Sequence, residues 1–329
     1  MVKKRLYNID FVKGCLIIFV ILGHFILGTV EDTLARYVIY SFHMPIFIAV
    51  SGFLVKKNGL ASLSLSGVVK KYIPRVMIPW GIAVIVYTTI TEFNRMSVLN
   101  DKKLILLYIN SFLKPYYHLW YILGFLSYIL LTWFLLKLKL KNWMLLLIAL
   151  VISIISMYEL YHISQPTIKG IVEIIQYDFR IYNYLFFILG MLLKEYMNRK
   201  GVPKVLKPVA MLTLILAIIT IYFFYQDSTI GKRTMYFLLN IPFAVVLLGL
   251  SYQEYFPRCK IIEYIGQNSM AFYLWHVLVK LLAISIAGAG NRVLYYCYSF
   301  VFFLILSILI FLLSKISFIN KYLLGGLRN

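Results

Sequence analysis

The sequence predicts an all-α fold: a polytopic membrane bundle of about ten transmembrane helices, with both termini in the cytoplasm. Three observations predict it. First, 62% of the 329 residues are hydrophobic and only 14% are charged, whereas a soluble domain is near half apolar and a quarter charged. Second, the apolar residues lie in long runs. One bilayer crossing takes about 20 of them, so the total matches roughly ten crossings with little left for a water-soluble domain. Third, the runs are too long and too rarely alternating for barrel strands. Open strands would leave unsatisfied edges in lipid, whereas helices satisfy their own backbone. The same composition excludes disordered, collagen-like and disulfide-stapled secreted chains.

Apolar runs bounded by charge, Gly, Pro or Asn place spans at 15–30, 37–55, 74–91, 117–136, 142–158, 182–198, 206–225, 234–252, 269–287 and 293–314. The first follows Lys3, Lys4 and Arg5 as a signal peptide would. No small-residue cleavage site follows it and it carries His24, so it reads as retained. Of the 33 Lys and Arg residues, 22 fall on one side of this arrangement and 10 on the other, with Lys280 inside a span. The richer side is the cytoplasm by the positive-inside rule, which puts both termini there. The net charge of +21 is thus explained by loops in a membrane and not by nucleic acid. The longest outer loops are about 92–116 and 159–181, and residues 1–329 read as one membrane domain.

Ionisable groups inside spans cost about 2.5–3.5 kcal/mol on insertion scales, so each needs a reason. Lys13 and His24 lie eleven positions apart. At about 100° per residue this is three turns plus roughly 20°, so they share one helix stripe about 16 Å apart along the axis. Lys13 is expected at the cytoplasmic rim and His24 near the midplane, an arrangement suited to a cleft entered from the cytoplasm. In GQNSMAFYLWH, Asn268 or Ser269 is the expected N-cap, and His276 falls at a depth near that of His24 with Tyr273 on its face. In SFHMPIFIAVSGFL, His43 is expected near the outer end of the second span. Pro45 should bend that helix and free a carbonyl, and Ser51 and Gly52 permit close helix approach. His118 and Trp120 fall at the outer end of the fourth span, where Trp120 and Tyr121 suit an interfacial belt. His162 reads as a solvated loop residue.

Cys15, Cys259 and Cys297 match no metal or redox spacing. No His pair at i,i+4, no His–carboxylate pair at ligand spacing and no acidic residue well inside a span supports a metal. Gly-x-Ser-x-Gly is absent, as is a phosphate-cradling Gly loop. The chemistry that remains is a membrane-embedded His acting as general base, with cations at the cytoplasmic rim.

This set, in this order, resembles the integral-membrane acyltransferase family 3. Arg5, Asp10, Lys13, Gly14, Gly23 and His24 resemble its opening motif, and His43, Pro45, Phe47, Ser51 and Gly52 its second. Arg75 with Pro79, the run His118 to Tyr121, and Gly266, Asn268, Ser269, Tyr273 and His276 continue the series. Within the family the chain is most similar to short O-acetyltransferases of bacterial surface polysaccharides and to intercellular-adhesin synthesis proteins.

The resemblance implies acetyl-CoA as cytoplasmic donor, and as acceptor a sugar hydroxyl of a glycan that is lipid-linked or already outside. It also implies location in the bacterial plasma membrane, with membrane lipid and polysaccharide-synthesis proteins as partners. His24 is then the catalytic base, with Lys13, Tyr273 and His276 beside it. Tyr273, Ser51 and a charged rim group are the candidate oxyanion donors. Lys13, Lys71 and Arg75 are the expected contacts to the coenzyme's phosphates. Asp10, His43, Ser51, His118 and Trp120 are the expected substrate-binding residues. Many relatives carry Arg where Lys13 stands, and Lys keeps the charge without the planar fork. They also carry two close arginines before the third span, where this chain has Lys71 and Arg75. The extracytoplasmic esterase-like domain of large relatives has no counterpart before Asn329. A transporter or exporter of polysaccharide, with no acyl transfer, is the alternative that ten helices with polar interiors also suit.

Overall fold

The computed structural model describes residues 7–96, 99–116, 118–158, 179–226, 228–253, 257–288 and 290–326. Arg5, His162 and most of the predicted 159–181 loop lie outside the described residues. Every described element is helical: α1 (Tyr7–Phe25), α2 (Leu34–Leu54), α3 (Lys57–Ala61), α4 (Leu65–Tyr72), a π-turn (Ile73–Met77), α5 (Ile78–Thr91), α6 (Phe93–Met96), α7 (Asp101–Leu113), α8 (Trp120–Lys137), α9 (Asn142–Met157), a 3-10 turn (Ile181–Asn183), α10 (Tyr184–Lys200), α11 (Leu206–Phe224), α12 (Thr229–Ser251), α13 (Lys260–Gln267), α14 (Ser269–Ala287), α15 (Arg292–Leu313) and α16 (Ser317–Tyr322). Each of the ten predicted spans is met by a helix. Eight helical stretches are long and apolar enough to cross a membrane. The fifth and sixth predicted spans are the shorter α9 and α10, of 16 and 17 residues. The chain is therefore a multi-pass helical membrane protein.

Two spans begin well before their predicted starts. α1 starts at Tyr7 because Lys13, the charge that set the predicted boundary, is paired with Asp10 one turn earlier at 3.1 Å. The third span starts at Leu65, where the Ser64 hydroxyl accepts the Gly67 N–H at 3.1 Å as an N-cap. It then passes Pro74 by widening into the π-turn before α5 resumes regular geometry.

The described residues form two compact units. The first holds residues up to Ser62, Thr132 to Tyr158, and Tyr182 to Ser269; the second holds Leu63 to Leu131, Phe179 to Ile181, and Met270 to Gly326. In the first unit, α2 packs on α10 and α1 packs on α13. Both pairs approach backbone to backbone through glycine. A Cβ on Gly52 would overlap the Phe187 carbonyl, and one on Gly190 the Ala49 carbonyl. Likewise Gly14 abuts the Ile262 carbonyl and Gly266 the Asp10 carbonyl. Small residues at these points are what let membrane helices gain close van der Waals contact.

Pro45 lies inside α2 and has no N–H, so the Ser41 carbonyl loses its usual partner. Asn240, on α12 and fully buried, supplies the missing donor: its Nδ2 donates to Ser41 O at 2.7 Å and to Tyr236 O at 2.7 Å. The amide thus meets the backbone carbonyl at the expense of its own Oδ1, which is buried without a partner, so the unmet acceptor is moved from the backbone to the side chain.

In the second unit, α16 packs on α5 and on the π-turn. The Trp275 indole N–H donates to Leu323 O at 3.2 Å. Gly325, at φ +66°, fits against Met270 and the Arg75 carbonyl, a backbone setting that favours glycine.

Candidate active site

In the first unit the candidate residues line α1 and α2. α1 ends at Phe25, so His24 sits in its last turn and not near the middle of the span as expected. The physical reason is the earlier start of the helix, which moves the whole span toward Tyr7. His43 moves the opposite way. α2 begins at Leu34, so His43 lies near its centre and is 2% exposed. The side chain that joins the two histidines is Tyr40. Its ring stands edge-on to His24 at 6.1 Å between centroids and to His43 at 4.9 Å. Gly23 faces the Tyr40 ring, and any side chain there would press on it.

Arg36 holds Tyr40 from the other side. Its guanidinium lies 5.2 Å from the Tyr40 ring centroid, donates to the Tyr40 hydroxyl at 3.4 Å and bonds the Gly28 carbonyl. Gly28, at φ +96°, makes the turn that lets α2 follow α1 at this end. His43 Nδ1 lies 2.6 Å from Ile39 O. A carbonyl only accepts, so in the neutral ring Nδ1 carries the proton and Nε2 carries the lone pair. His24 itself is half-buried.

Lys13 and Asp10 form the other pair on α1, with side chains 18% and 13% exposed. Gly14 and Gly266 hold that stretch against α13. Lys13 and His24 share the predicted stripe but sit about 16 Å apart along it. Ser51 donates to its own helix at Phe47 O, 2.8 Å away. Asn268 donates to Tyr264 O at 3.0 Å, so its bond closes the helix before it; the expected N-cap bond to α14 is not the one it makes.

The second unit gathers His118, Tyr273 and His276 into one buried cluster. The imidazoles of His118 and His276 are 5.0 Å apart between centroids, and His118 lies 5.5 Å from the Tyr273 ring. The three are 2%, 3% and 0% exposed. Tyr273 donates to the His118 carbonyl, Tyr87 donates to Leu274 O at 2.9 Å, and His118 Nε2 meets that same carbonyl at 3.3 Å. His276 Nδ1 reaches Phe272 O and Tyr273 O at 3.0 and 2.9 Å, which again puts the proton on Nδ1 in the neutral ring. The expectation that Tyr273 and His276 share a face is met, since both touch His118. Tyr87, which seals the cluster at 1% exposure, carried no signal in the sequence beyond being apolar-flanked.

Trp120 and Tyr121 are 6% and 8% exposed, so they belong to the unit's interior and not to an interfacial belt. One face of the Trp120 indole is covered by the Arg180 guanidinium at 4.3 Å. Arg180 holds a left-handed backbone, φ +44°, which costs an L residue about 1–2 kcal/mol. The Tyr128 hydroxyl bonds Phe179 O at 3.1 Å and Arg180 O at 2.7 Å, and Gly124 gives Phe179 room. The charge pattern placed Arg180 only among outer-loop cations. Lys71 and Arg75 are both exposed, Lys71 beside the Tyr72 ring at 5.2 Å and Arg75 on the π-turn. Of the three expected coenzyme contacts, Lys13 thus belongs to the first unit and Lys71 and Arg75 to the second. Among the described residues no group of three or more His, Cys, Asp and Glu side chains stands close enough to hold a metal ion.

The family model for an acyltransferase domain matches residues 6–312. Nodulation protein NolL of Sinorhizobium fredii (strain NBRC 101917 / NGR234) is 30% identical over 202 residues, 59% of this chain and 50% of that protein. The chain therefore spans about half the length of this relative. No solved structure matches it.

Proposed function

The chain belongs to the membrane acyltransferase family 3, and from that premise we propose that it is an O-acetyltransferase. In this reading it moves an acetyl group from cytoplasmic acetyl-CoA to a sugar hydroxyl of a cell-surface polysaccharide or its lipid-linked precursor. It works in the bacterial plasma membrane, with both termini inside.

The observation that carries the reading is His24. It is a half-buried imidazole at the end of α1, steadied by Tyr40 and sharing a helix stripe with Lys13. As general base, His24 takes the proton of the sugar hydroxyl, and the oxygen attacks the thioester carbonyl carbon. The tetrahedral oxyanion then collapses, expelling the coenzyme thiolate, which takes up a proton. Such base catalysis contributes on the order of 10²–10⁴ in rate. Tyr40 and Arg36 fix the ring's surroundings. Lys13, oriented by Asp10, is suited to a phosphate of the donor lying along the stripe. In the second unit His118 and His276, with Tyr273, form a buried polar cluster of their own.

The test uses the purified protein, acetyl-CoA and glycan fragments. Wild-type protein is expected to form an acetyl ester, and His24→Ala is expected to lose transfer by at least 100-fold with unchanged thermal unfolding. A His24→Ala protein that folds normally and keeps full transfer would remove His24 from the chemistry.

A further inference from the structure

Apart from the acyl-transfer reading, we propose that a groove between α5 and α16, within the second unit, holds an acyl chain of an anionic phospholipid whose phosphate meets Lys321 and Arg75. The groove encloses about 410 Å³ and is walled by Ile78 and Ile82 of α5 and by Phe318, Ile319, Tyr322 and Leu323. Its volume lies in the range of small-molecule sites, roughly 300–1,000 Å³. Five of the six side chains are hydrocarbon throughout. The sixth, Tyr322, has its hydroxyl engaged, because Lys321 Nζ donates to it at 2.8 Å. A sugar or a peptide backbone would lose its water there with little in exchange, whereas a hydrocarbon chain loses nothing. α5 belongs to a stretch, Leu65–Thr91, long and apolar enough to cross a membrane, so lipid is the hydrocarbon that meets this wall. Phe318, 71% exposed, and Tyr322 stand one turn apart on α16 with ring centroids 4.9 Å from each other, and form the outer wall.

The apolar wall alone would accept any lipid; the charge at one end selects the head group. Gly325 lies against the Arg75 carbonyl, so the end of α16 that carries Lys321 and Tyr322 is the end next to the π-turn. Arg75 is exposed there, three positions before Ile78. The Lys321 ammonium is held at the edge of the groove by Tyr322, through the hydroxyl bond and at 4.5 Å from the ring centroid. An ammonium has three donors, so that bond leaves two for a phosphate. The two stretches that build the groove, Leu63 to Thr91 and Arg292 to Gly326, contain no Asp or Glu. They carry Lys70, Lys71 and Arg75, and Arg292, Lys315 and Lys321. Among the described residues neither Arg75 nor Lys321 forms an ion pair. Basic residues beside a membrane surface favour anionic over zwitterionic lipid.

The experiment titrates the detergent-purified full chain with phosphatidylglycerol and with phosphatidylcholine of the same acyl chains, and counts bound lipid by native mass spectrometry. The first phosphatidylglycerol is expected to bind more than about tenfold tighter than the first phosphatidylcholine. Lys321→Gln and Arg75→Gln should each weaken phosphatidylglycerol about fivefold and leave phosphatidylcholine unchanged, while Lys321→Arg keeps the preference. Ile82→Trp fills the groove and Phe318→Ala removes its exposed wall; each should weaken both lipids, with thermal unfolding unchanged for Phe318→Ala. Excess coenzyme A should leave the bound phosphatidylglycerol in place. A wild-type protein with no preference, or glutamine variants that keep it, would overturn the proposal. So would unchanged lipid binding by both groove variants. Displacement of the lipid by coenzyme A would also overturn it, giving the two cations to a soluble phosphate.

Discussion

The bond from Asn240 to Ser41 predicts a specific thermodynamic coupling with Pro45. Asn240→Ala removes the donor that satisfies Ser41 O at 2.7 Å, while Pro45 prevents the helix from replacing it. The carbonyl is then left unsatisfied beside a site that was fully buried. Such a group costs about 1–3 kcal/mol. Pro45→Ala restores a helical N–H to that carbonyl. In the Pro45→Ala background the Asn240→Ala cost should therefore fall to about 0.5 kcal/mol or less, because Ser41 O now has its own donor. The coupling energy in the cycle is then roughly 1–2 kcal/mol, well above the few tenths expected of independent sites. The assay is thermal unfolding of the four proteins in one detergent, followed by tryptophan fluorescence. Asn240→Ala should lower the midpoint by several degrees, on the order of 2–4 °C per kcal/mol for chains somewhat smaller than this one. In the Pro45→Ala background the drop should nearly vanish. An equal drop in both backgrounds would refute the assignment of Asn240 as the surrogate donor for the proline.

Other outcomes follow from the same geometry. Gly266→Ala drives a Cβ into the Asp10 carbonyl oxygen, with the carbonyl carbon and the Gly14 nitrogen each 2.7 Å away, so the two backbones must move apart. Its expected cost is at least about 3 kcal/mol, whereas Gly290→Ala, with nothing near it, should leave unfolding unchanged; both are read by melting. Tyr273→Phe removes the bond to the His118 carbonyl and should cost about 1 kcal/mol with transfer reduced less than tenfold. Complete loss of transfer at unchanged stability would instead give its hydroxyl a chemical role. Deleting the gene should strip an acetyl ester from the surface glycan while leaving the polymer outside the cell. Polymer retained inside would favour the transport alternative.

The helical plan was legible because lipid allows so few alternatives: each apolar run of sufficient length met a helix. Boundaries failed where a charge or a proline was locally compensated. Lys13 stopped the first predicted span, yet its pairing with Asp10 lets α1 run through it. Pro74 started the third, yet the π-turn accommodates it. The freed carbonyl at Pro45 was legible, but its partner 199 positions away was not, since nothing local marks Asn240 as its donor. The histidines stood out because ionisable groups are rare in spans. Tyr40 and Arg180, which steady His24 and cover Trp120, look ordinary in a chain with 27 tyrosines and 33 basic residues. Their roles arise only once rings from separate helices meet.

The paired glycine contacts have a mechanical consequence. Where Gly52 and Gly190 bring α2 and α10 into touch at two points, sliding one helix by a single residue, about 1.5 Å, would drive the side chain of a neighbour such as Phe53 into a carbonyl slot. The same interlock joins α1 to α13 through Gly14 and Gly266. Each couple thus moves as one girder. Motion of one couple against the other would carry His24 on one girder and His43 on the other.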